Sequence, residues 1–522
     1  LCLLPAACSL EEESSTEVEK NKYMNDAKEA QDVLLGVYRS TIEEGMYGHH
    51  LSIYFSMGTD ISQVEGSTTE NFRILPTNAY SASQAEVQTS WASLYSGIYN
   101  ANDFLERISV KMDSYNESDK QLATIYIAEA RALRALYYFE LVRRWGNIPL
   151  MTNTAMANQH PSTFVQADPV DVYKFIEDDL LYACDILPYA KDDTKVYATW
   201  AGYPIQDTSK WEAAAETARI LIESGKHDLL TDYEKLWENT CNGIWDPTES
   251  LIEVSFYSPT YSGNSDPVGR IGKWNGVKTT VDAGRSGSTA ANVQVVHSFV
   301  LNWREEAQPD ASTGISPDRR QNLSIANYKH GHNDSKTGAV YLGDYYLAAS
   351  IPTDDEATAL SKDLDPEKSQ KAKQTYTPAK WDIDKYMESI PFVNNDKSTV
   401  NWYVLRYADV LLLYAEALNE WKGGPTTDAY AAINKVRKRG YGNKGNYSLP
   451  EGMDQATFRK AVHKERAYEL AFEGHRRLDL IRWGIYYETI QETYNELKNW
   501  WSSASYVVYD YTKKGQHELM PI

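Results

Sequence analysis

The sequence predicts a mainly α-helical fold, in which tetratricopeptide-type helical pairs carry a large loop-rich insertion containing a few short strands. Apolar residues recur at steps of three and four in the first and last parts of the 522-residue chain, which is the period of an amphipathic helix. Between residues 242 and 402 this period is lost, and Gly, Ser, Asn, Pro and Asp interrupt short apolar runs. This pattern of residues is typical of loops and short strands. No strict repeat of about 34 residues is visible, so we expect irregular pairs.

The first half of the chain contains five predicted helices, and these span residues 27–41, 91–105, 125–145, 172–187 and 211–224. In the third helix, Ala128, Ala132 and Ala135 place small residues on one face, where a partner helix can approach closely. Gly146 follows directly and predicts the end of this helix. Residues 46–90 are rich in Gly, Ser, Thr and Asn with little periodicity, and they predict a long excursion on the surface.

Helical periodicity returns in the last part of the chain, at residues 405–421, 428–439, 455–472 and 478–497. We therefore expect a helical scaffold formed by residues 23–241 and 403–522. The loop-rich region at 242–402 is then the expected ligand-binding region, because loops held by a rigid scaffold commonly form binding surfaces.

The start of the sequence indicates an exported protein. Residues 1–8 (LCLLPAAC) are apolar, with small residues ahead of a cysteine, and they predict a signal-peptide remnant in which Cys8 is lipidated. The alternative is a soluble secreted protein. Residues 9–22 are acidic and polar and predict a flexible tether, and no later segment approaches the ~20 apolar residues of a membrane span. For Cys184 and Cys241 export permits a disulfide, but we expect two buried free thiols.

Composition narrows the range of partners. The net charge is −21, from 73 acidic and 52 basic residues, and a field of this sign repels phosphate backbones. Nucleic acid is therefore excluded as a partner, and adhesion to anionic lipid through a basic patch is disfavoured. The chain also has 38 Tyr and 14 Trp against 11 Phe. Because Tyr and Trp combine an apolar face with a polar tip, they suit half-wet binding surfaces as well as cores.

Two polar clusters could suggest an enzyme. Glu465, Glu469 and Glu473 lie at helical spacing, and glycosidases need a pair of carboxylates; the interleaved arginines instead predict charge pairing along the helix. Residues 330–334 (HGHND) offer metal ligands, but without a second cluster at a fixed spacing they predict a polar turn. The chain has no nucleophile elbow, phosphate-binding loop or dinucleotide fingerprint. We expect no catalytic residue, no metal site and no cofactor, and thus a protein that is not an enzyme.

Aromatic residues in loops are the candidate ligand-binding residues. Trp274 lies in residues 269–276 (GRIGKWNG) and does not belong to a helical or strand pattern of apolar residues. An indole in such a loop can stack on the C–H face of a sugar ring. Weaker candidates of the same kind are Trp303, Tyr54, Tyr80, Tyr257 and Tyr261. The alternative for each is a buried wedge under its loop. By contrast, Trp145, Trp402 and Trp483 lie within or beside helical motifs, and we expect them in the core or at an interface.

A set of motifs, in this order, closely resembles the SusD/RagB family. They are WASLY at 91–95, AEARALRALYYF at 128–139, RWGNIPL at 144–150, YVLRYADVLL at 403–412, AEALN at 415–419, INKVR at 433–437, ERAYELAFEGHRR at 465–477 and DLIRWG at 479–484. The resemblance covers nearly the whole chain after the tether. One departure is that residues 192–195 lead straight into residues 196–204, which resemble only the end of a Gly- and Ala-rich helix of the family. Either this helix is shortened or residues are absent from the sequence there, and we expect the second.

The resemblance implies a function as well as a fold. It implies a surface-exposed lipoprotein of the cell outer membrane that sits as a lid on a SusC-like TonB-dependent transporter and serves nutrient uptake. In such proteins the helical half faces the transporter and the loop-rich part shapes the ligand site. We expect the ligand to be an oligosaccharide. The alternative is a RagB-like lipoprotein that binds peptides for an oligopeptide uptake complex, and an acidic protein would favour cationic peptides.

Overall fold

The computed structural model describes residues 23–65, 71–160, 163–188, 210–256, 269–279, 289–308, 316–326, 330–332, 339–341, 376–388, 397–442 and 445–501. Its helices are α1 (Ala27–Arg39), α2 (Ala85–Lys111), α3 (Glu117–Trp145), α4 (Thr154–Ala157), α5 (Pro169–Ile186), α6 (Lys210–Glu223), α7 (Tyr233–Cys241), α8 (His297–Ala307), α9 (Arg319–Ser324), α10 (Ile383–Tyr386), α11 (Tyr407–Lys422), α12 (Thr427–Gly440), α13 (Gln455–Glu469), α14 (Arg476–Arg482) and α15 (Tyr486–Trp501). The fold is mainly helical, as predicted.

The strands are short and pair only in twos within the described residues. They are β1 (Ser62–Val64), β2 (Ser250–Val254), β3 (Val293–Val295), β4 (Ile325–Ala326), β5 (His330–His332), β6 (Ala339–Tyr341), β7 (Thr377–Pro378) and β8 (Trp402–Arg406). The antiparallel pairs are β1 with β3, β2 with β8, β4 with β7 and β5 with β6. The polar turn predicted at residues 330–334 is wrong for its described part, because residues 330–332 form β5.

Helix boundaries follow the capping residues. The side chain of Asp26 accepts a hydrogen bond from the backbone N–H of Glu29 at the start of α1, and Asn116 caps α3 in the same way. Such caps satisfy backbone donors that have no partner inside the helix. At the end of α3, Gly146 has a φ of +70°, which residues with a Cβ rarely adopt. The glycine therefore ends the helix where the sequence predicts.

The helices pack in two groups. In the first group α3 packs against α1, α2 and α5, and in the second α11 packs against α6, α12 and α13. Each group has its own cluster of buried side chains, with Leu94, Tyr137 and Leu141 in the first and Leu412 and Ile433 in the second. The burial of this apolar area stabilises each group by roughly 25 cal/mol per Å².

The loop-rich region shares a core with the first helical group. Ile271, Trp381 and Val400 are buried in the same cluster as the side chains of α1 to α3. Strand β8 pairs with β2 and leads directly into α11. Residues 405 and 406, which were predicted as the start of a helix, therefore belong to a strand. The region also contains the 11-residue α8, which the sequence did not indicate.

Three further predictions need correction. The predicted surface excursion at 46–90 is wrong for residues 46–64, since Met46, Ile53 and Met57 are fully buried and irregular turns satisfy this backbone. The helix predicted at 478–497 is divided into α14 and α15 at Gly484, whose φ is +71°. The third correction concerns Cys184 and Cys241, which were predicted to be two buried free thiols.

Cys184 and Cys241 are both free of disulfides, but only Cys241 is buried and Cys184 is exposed.

None of the helices in the described part of the chain has the length and apolarity that crossing a bilayer requires. Residues 1–22, with Cys8, lie outside the described residues.

Candidate ligand-binding site

Trp274 lies in a loop whose backbone is held on both sides. Its N–H donates to the carbonyl of Arg270 at 3.0 Å, and its carbonyl accepts from the N–H of Asn292 at 2.6 Å. Gly272 has a φ of +79°, and a Cβ there would lie 2.6 Å from Cγ2 of Ile383. The loop is therefore packed tightly against the core, which fixes the position of the indole.

Trp274 belongs to a compact group of rings, here named the Trp274 cluster, which consists of His49, His50, Tyr54, Phe72 and Trp274. The rings of Tyr54 and Phe72 are stacked, with centroids 4.3 Å apart and planes 6° apart. The indole of Trp274 meets both edge-on, at 5.9 and 5.5 Å, and meets His49 at 4.6 Å. Edge-to-face contacts of this kind stabilise aromatic clusters beyond the area they bury.

Exposure separates supporting rings from surface rings. Tyr54 is buried, with 4% of its surface exposed, whereas Trp274 and Tyr80 are half-buried and pack on the same apolar cluster. Trp274 Nε1 is buried and has no hydrogen-bond partner among the described residues. The fold thus brings three sequence candidates to one apolar cluster, in which Tyr54 is buried against Trp274. Their contact with a ligand stays a prediction.

Trp303 lies elsewhere, in the core. Its side chain is 1% exposed, its Nε1 donates to Asp318 at 3.0 Å, and its ring stacks on Tyr468 at 4.5 Å. The prediction of a surface platform is wrong for Trp303, because it lies on the buried face of α8. Tyr257 and Tyr261 lie outside the described residues. Trp402 is buried in the core, and the other two helical-motif tryptophans, Trp145 and Trp483, are half-buried.

Two arginines and a carboxylate lie beside the Trp274 cluster. Arg270 Nη2 pairs with Glu44 Oε1 at 3.0 Å, and its guanidinium lies 5.5 Å from the Trp274 ring. The guanidinium of Arg73 lies 4.8 Å from the ring of Phe72. Guanidinium groups donate hydrogen bonds and carboxylates accept them. The site can therefore bind hydroxyl groups next to an aromatic surface.

The imidazoles beside Trp274 add no charge at neutral pH. A hydrogen bond from His49 lowers the pKa of Glu44 to about 2, while burial lowers the pKa of His49 to about 4 and also lowers the pKa of His50. At neutral pH both imidazoles are therefore uncharged, the charge of Glu44 is balanced by that of Arg270, and Arg73 adds one positive charge. This set of charges does not favour a cationic ligand.

Sequence reasoning missed four residues of the candidate site, namely His49, His50, Phe72 and Arg73, whereas Arg270 lies in the segment 269–276 around Trp274. The adjacent pair His49–His50, inside a stretch without helical period, was the one signal available in the sequence. Phe72 and Arg73 carry no local signature, because they meet Trp274 only through the fold.

The three helical glutamates that could suggest an enzyme are buried and paired. Glu465, Glu469 and Glu473 have at most 2% of their surface exposed. Their ion-pair partners are Arg320, Lys380, Arg406, Arg437 and Arg439. The structural interpretation holds, but the partners come from other elements, so the prediction of pairing with the interleaved arginines is wrong.

A second concavity lies apart from the Trp274 cluster. It has a volume of about 1210 Å³ and is lined by residues of α8, α12 and α13, among them Glu306, Tyr441 and Lys460. Of the residues singled out from the sequence only Glu465 lines it, and that carboxylate is engaged in ion pairs with Arg320 and Arg437.

Comparison with known proteins identifies relatives over nearly the whole chain. A model described as "SusD family" matches residues 248–522, and one described as "Starch-binding associating with outer membrane" matches residues 10–221. The crystal structure of a SusD homolog from Bacteroides thetaiotaomicron is 63% identical, covers 94% of this chain and 92% of that chain, and has a TM-score of 0.82. A SusD-like protein from Formosa agariphila is 25% identical over 92% of this chain and 88% of its own length.

A more distant structure shares the fold. Surface glycan-binding protein A from Bacteroides thetaiotaomicron, in complex with laminarihexaose, is 17% identical and has a TM-score of 0.62. The match covers 88% of this chain and 91% of that one. At this identity the likeness concerns the fold alone.

Proposed function

The chain belongs to the SusD family, and from this premise we propose that it is a cell-surface lipoprotein that captures an oligosaccharide and delivers it to a TonB-dependent outer-membrane transporter. The observation that carries the proposal is the half-buried indole of Trp274, held by a braced loop beside the Arg270–Glu44 ion pair. The match of residues 10–221 to the model described as "Starch-binding associating with outer membrane" supports an oligosaccharide as the ligand.

The chemistry of the site suits a sugar. A pyranose ring has an apolar C–H face and a rim of hydroxyl groups, so it needs a flat aromatic surface and nearby hydrogen-bonding groups. Trp274 and Tyr80 supply aromatic surface, while Arg270 donates hydrogen bonds and Glu44 accepts them. The peptide alternative is supported by the net charge of −21. This charge is a property of the whole chain and not of the candidate site.

We propose binding without catalysis. The carboxylates that most resemble a glycosidase pair, Glu465 and Glu469, are buried and engaged in ion pairs with arginines. A general acid or nucleophile must reach the glycosidic bond, and these two carboxylates have at most 1% of their surface exposed. A turnover assay with purified protein and the bound oligosaccharide should release no product, and release of shortened sugars would contradict the proposal.

Removal of the Trp274 ring tests the ligand site. Calorimetric titration with a panel of neutral oligosaccharides that includes laminarihexaose, and with cationic peptides, should detect binding of a sugar. Trp274→Ala should weaken it about tenfold or more, since a stacked ring contributes roughly 1–3 kcal/mol and ~1.4 kcal/mol is a factor of ten. Because the indole also packs on Tyr54 and Phe72, we expect the Tm to fall as well.

A matched control separates the two effects. Trp421 is also half-buried, but it packs on the second helical group, so Trp421→Ala should lower the Tm and keep the affinity. Equal affinities in wild type and Trp274→Ala would overturn the assignment of the site. Binding of peptides alone would favour the oligopeptide-uptake alternative.

The anchor and the transporter are tested in cells. If Cys8 is lipidated, a fatty-acid probe should label the protein in cells, and Cys8→Ala should abolish the label. The wild-type protein should also co-purify with a TonB-dependent transporter after mild detergent extraction of outer membranes. Labelling that survives the substitution, or recovery of the protein only as a free monomer, would contradict these parts of the proposal.

A further inference from the structure

We propose that Glu44, His49 and His50 form a binding site for a divalent transition-metal ion such as Zn²⁺, next to Trp274. One ligand atom from each of the three residues lies within 4.8 Å of the other two. Imidazole nitrogen and carboxylate oxygen are the ligands that Zn²⁺ accepts besides thiolate. Two histidines and one carboxylate supply three protein ligands, which leaves a fourth position for water.

The distances suit such a site. With metal–ligand bonds of about 2.0–2.1 Å, neighbouring ligand atoms of a tetrahedral zinc site lie roughly 3.3 Å apart. His49 Nδ1 and Glu44 Oε1 are 3.3 Å apart already. The ion would take the place of the proton that these two atoms share. Glu44 is more than half exposed, so its side chain can move to complete the geometry.

The surroundings of His49 and His50 also favour metal binding. His50 Nδ1 lies 3.2 Å from Ser90 Oγ, which leaves Nε2 for the metal; such an outer hydrogen bond orients most metal-binding histidines. His49 is 2% exposed, and its ring packs on that of Tyr54 with centroids 4.1 Å apart, which holds Nδ1 toward Glu44. The imidazoles are neutral at physiological pH because burial lowers both pKa values, and metal binding requires neutral imidazole.

Arg270 opposes the ion. Its Nη2 lies 3.0 Å from the same Glu44 oxygen that would bind the metal, so the guanidinium and the ion compete for one carboxylate. Removal of this positive charge should therefore tighten metal binding. A purely structural role for Glu44 and the histidines gives no such increase, which makes Arg270 the sharpest probe of the proposal.

The test is a Zn²⁺ titration of the metal-stripped, untagged chain by calorimetry, with Co²⁺ absorption as a second readout. Wild type should bind one ion, Glu44→Gln should bind at least tenfold more weakly, and Arg270→Gln should bind more tightly. His50→Gln should lose the site, while the exposed His160 supplies the control His160→Gln, with unchanged affinity.

Two results would overturn the proposal. One is the absence of saturable binding by wild type, and the other is equal affinity in Glu44→Gln and His160→Gln. Glu44 and Arg270 lie near the surface, so circular dichroism of their variants should match wild type even if the histidine variant fails to fold. The proposal does not rest on oligosaccharide binding, because Zn²⁺ is titrated without sugar.

Discussion

Glu129 is a carboxyl group buried between two helices. It lies on α3 with 7% of its surface exposed, and Tyr38 on α1 donates a hydrogen bond to its Oε2 at 2.9 Å. Burial raises the pKa of Glu129 to about 7, against an ordinary value of 4.5. Between these two values the folded protein holds a proton that the unfolded chain has released. The stability therefore falls as pH rises from about 4.5 to about 7 and changes no further above that range.

This linkage predicts the effect of Glu129→Gln, which keeps an acceptor for Tyr38 and removes the charge. We expect the variant to be more stable than wild type at pH 8 by about 1–3 kcal/mol, and the gain should shrink strongly by pH 4.5. Thermal unfolding at both pH values measures this. The control is Glu117→Gln in the first turn of the same helix, where the side chain is 88% exposed. An equal gain at both pH values would contradict the role of ionisation.

The tryptophans show what local patterns can predict at the scale of one residue. Trp274 was identified correctly as a loop residue outside any apolar period, and the structure finds it half-buried on a braced loop. The prediction for Trp303 is wrong, because α8 has only 11 residues and begins just after the three-residue strand β3. Trp303 is buried because it packs into the core together with Phe299 and Val300. The apolar repeat in this helix is too short for the sequence to predict that buried face.

At the scale of elements, a close contact between α2 and α3 depends on a single glycine. Gly97 on α2 faces Tyr137 on α3, and a Cβ at residue 97 would lie 2.7–2.8 Å from atoms of that buried ring. The side chain of Tyr137 is held in place by a hydrogen bond from its hydroxyl to the carbonyl of Val37 at 2.6 Å. The three helices α1, α2 and α3 are therefore fixed together at this point.

The same substitution at two helix glycines should have opposite effects. Gly36 is exposed in the last turn of α1, and a Cβ there meets nothing within 4 Å. Gly36→Ala should stabilise the protein by about 0.5–1 kcal/mol, because alanine loses less backbone entropy in a helix. Gly97→Ala should destabilise it by about 1–3 kcal/mol through overpacking. Urea unfolding compares the two, and a gain in stability for Gly97→Ala would contradict the close contact.

At the scale of the whole molecule, a buried ion network joins the second helical group to the loop-rich region. Within the described residues it includes the basic side chains Arg320, Lys380, Arg406, Arg437 and Arg439 and the acidic side chains Glu249, Asp318, Glu465, Glu469 and Glu473. Arg406 on β8 contacts three of these carboxylates. Because each charge is paired, the network is stable only when it is complete.

Loss of one partner should therefore be costly. Arg406→Leu leaves Glu249, Glu469 and Glu473 with fewer cations, and we expect a destabilisation of about 3–5 kcal/mol. The control is Arg219→Leu on α6, since Arg219 pairs with Glu216 and Glu223 at the surface and such pairs contribute about 0–1 kcal/mol. Thermal unfolding measures both variants. A similar small change in the two Tm values would show that the network contributes little.

The sequence by itself determined the helical class, the bounds of α1, α5, α6 and α12 to within about three residues, and the family. Periodicity and caps act between neighbours in the chain, so α1, α3, α5 and α12 could be predicted from local patterns. Only the tertiary structure decided where the loop-rich region packs. It placed Trp303 in the core, gave Glu469 its distant arginine partners, and brought His49 and Phe72 beside Trp274. The physical reason is that burial and ion pairing depend on residues that are neighbours in space and far apart in the chain.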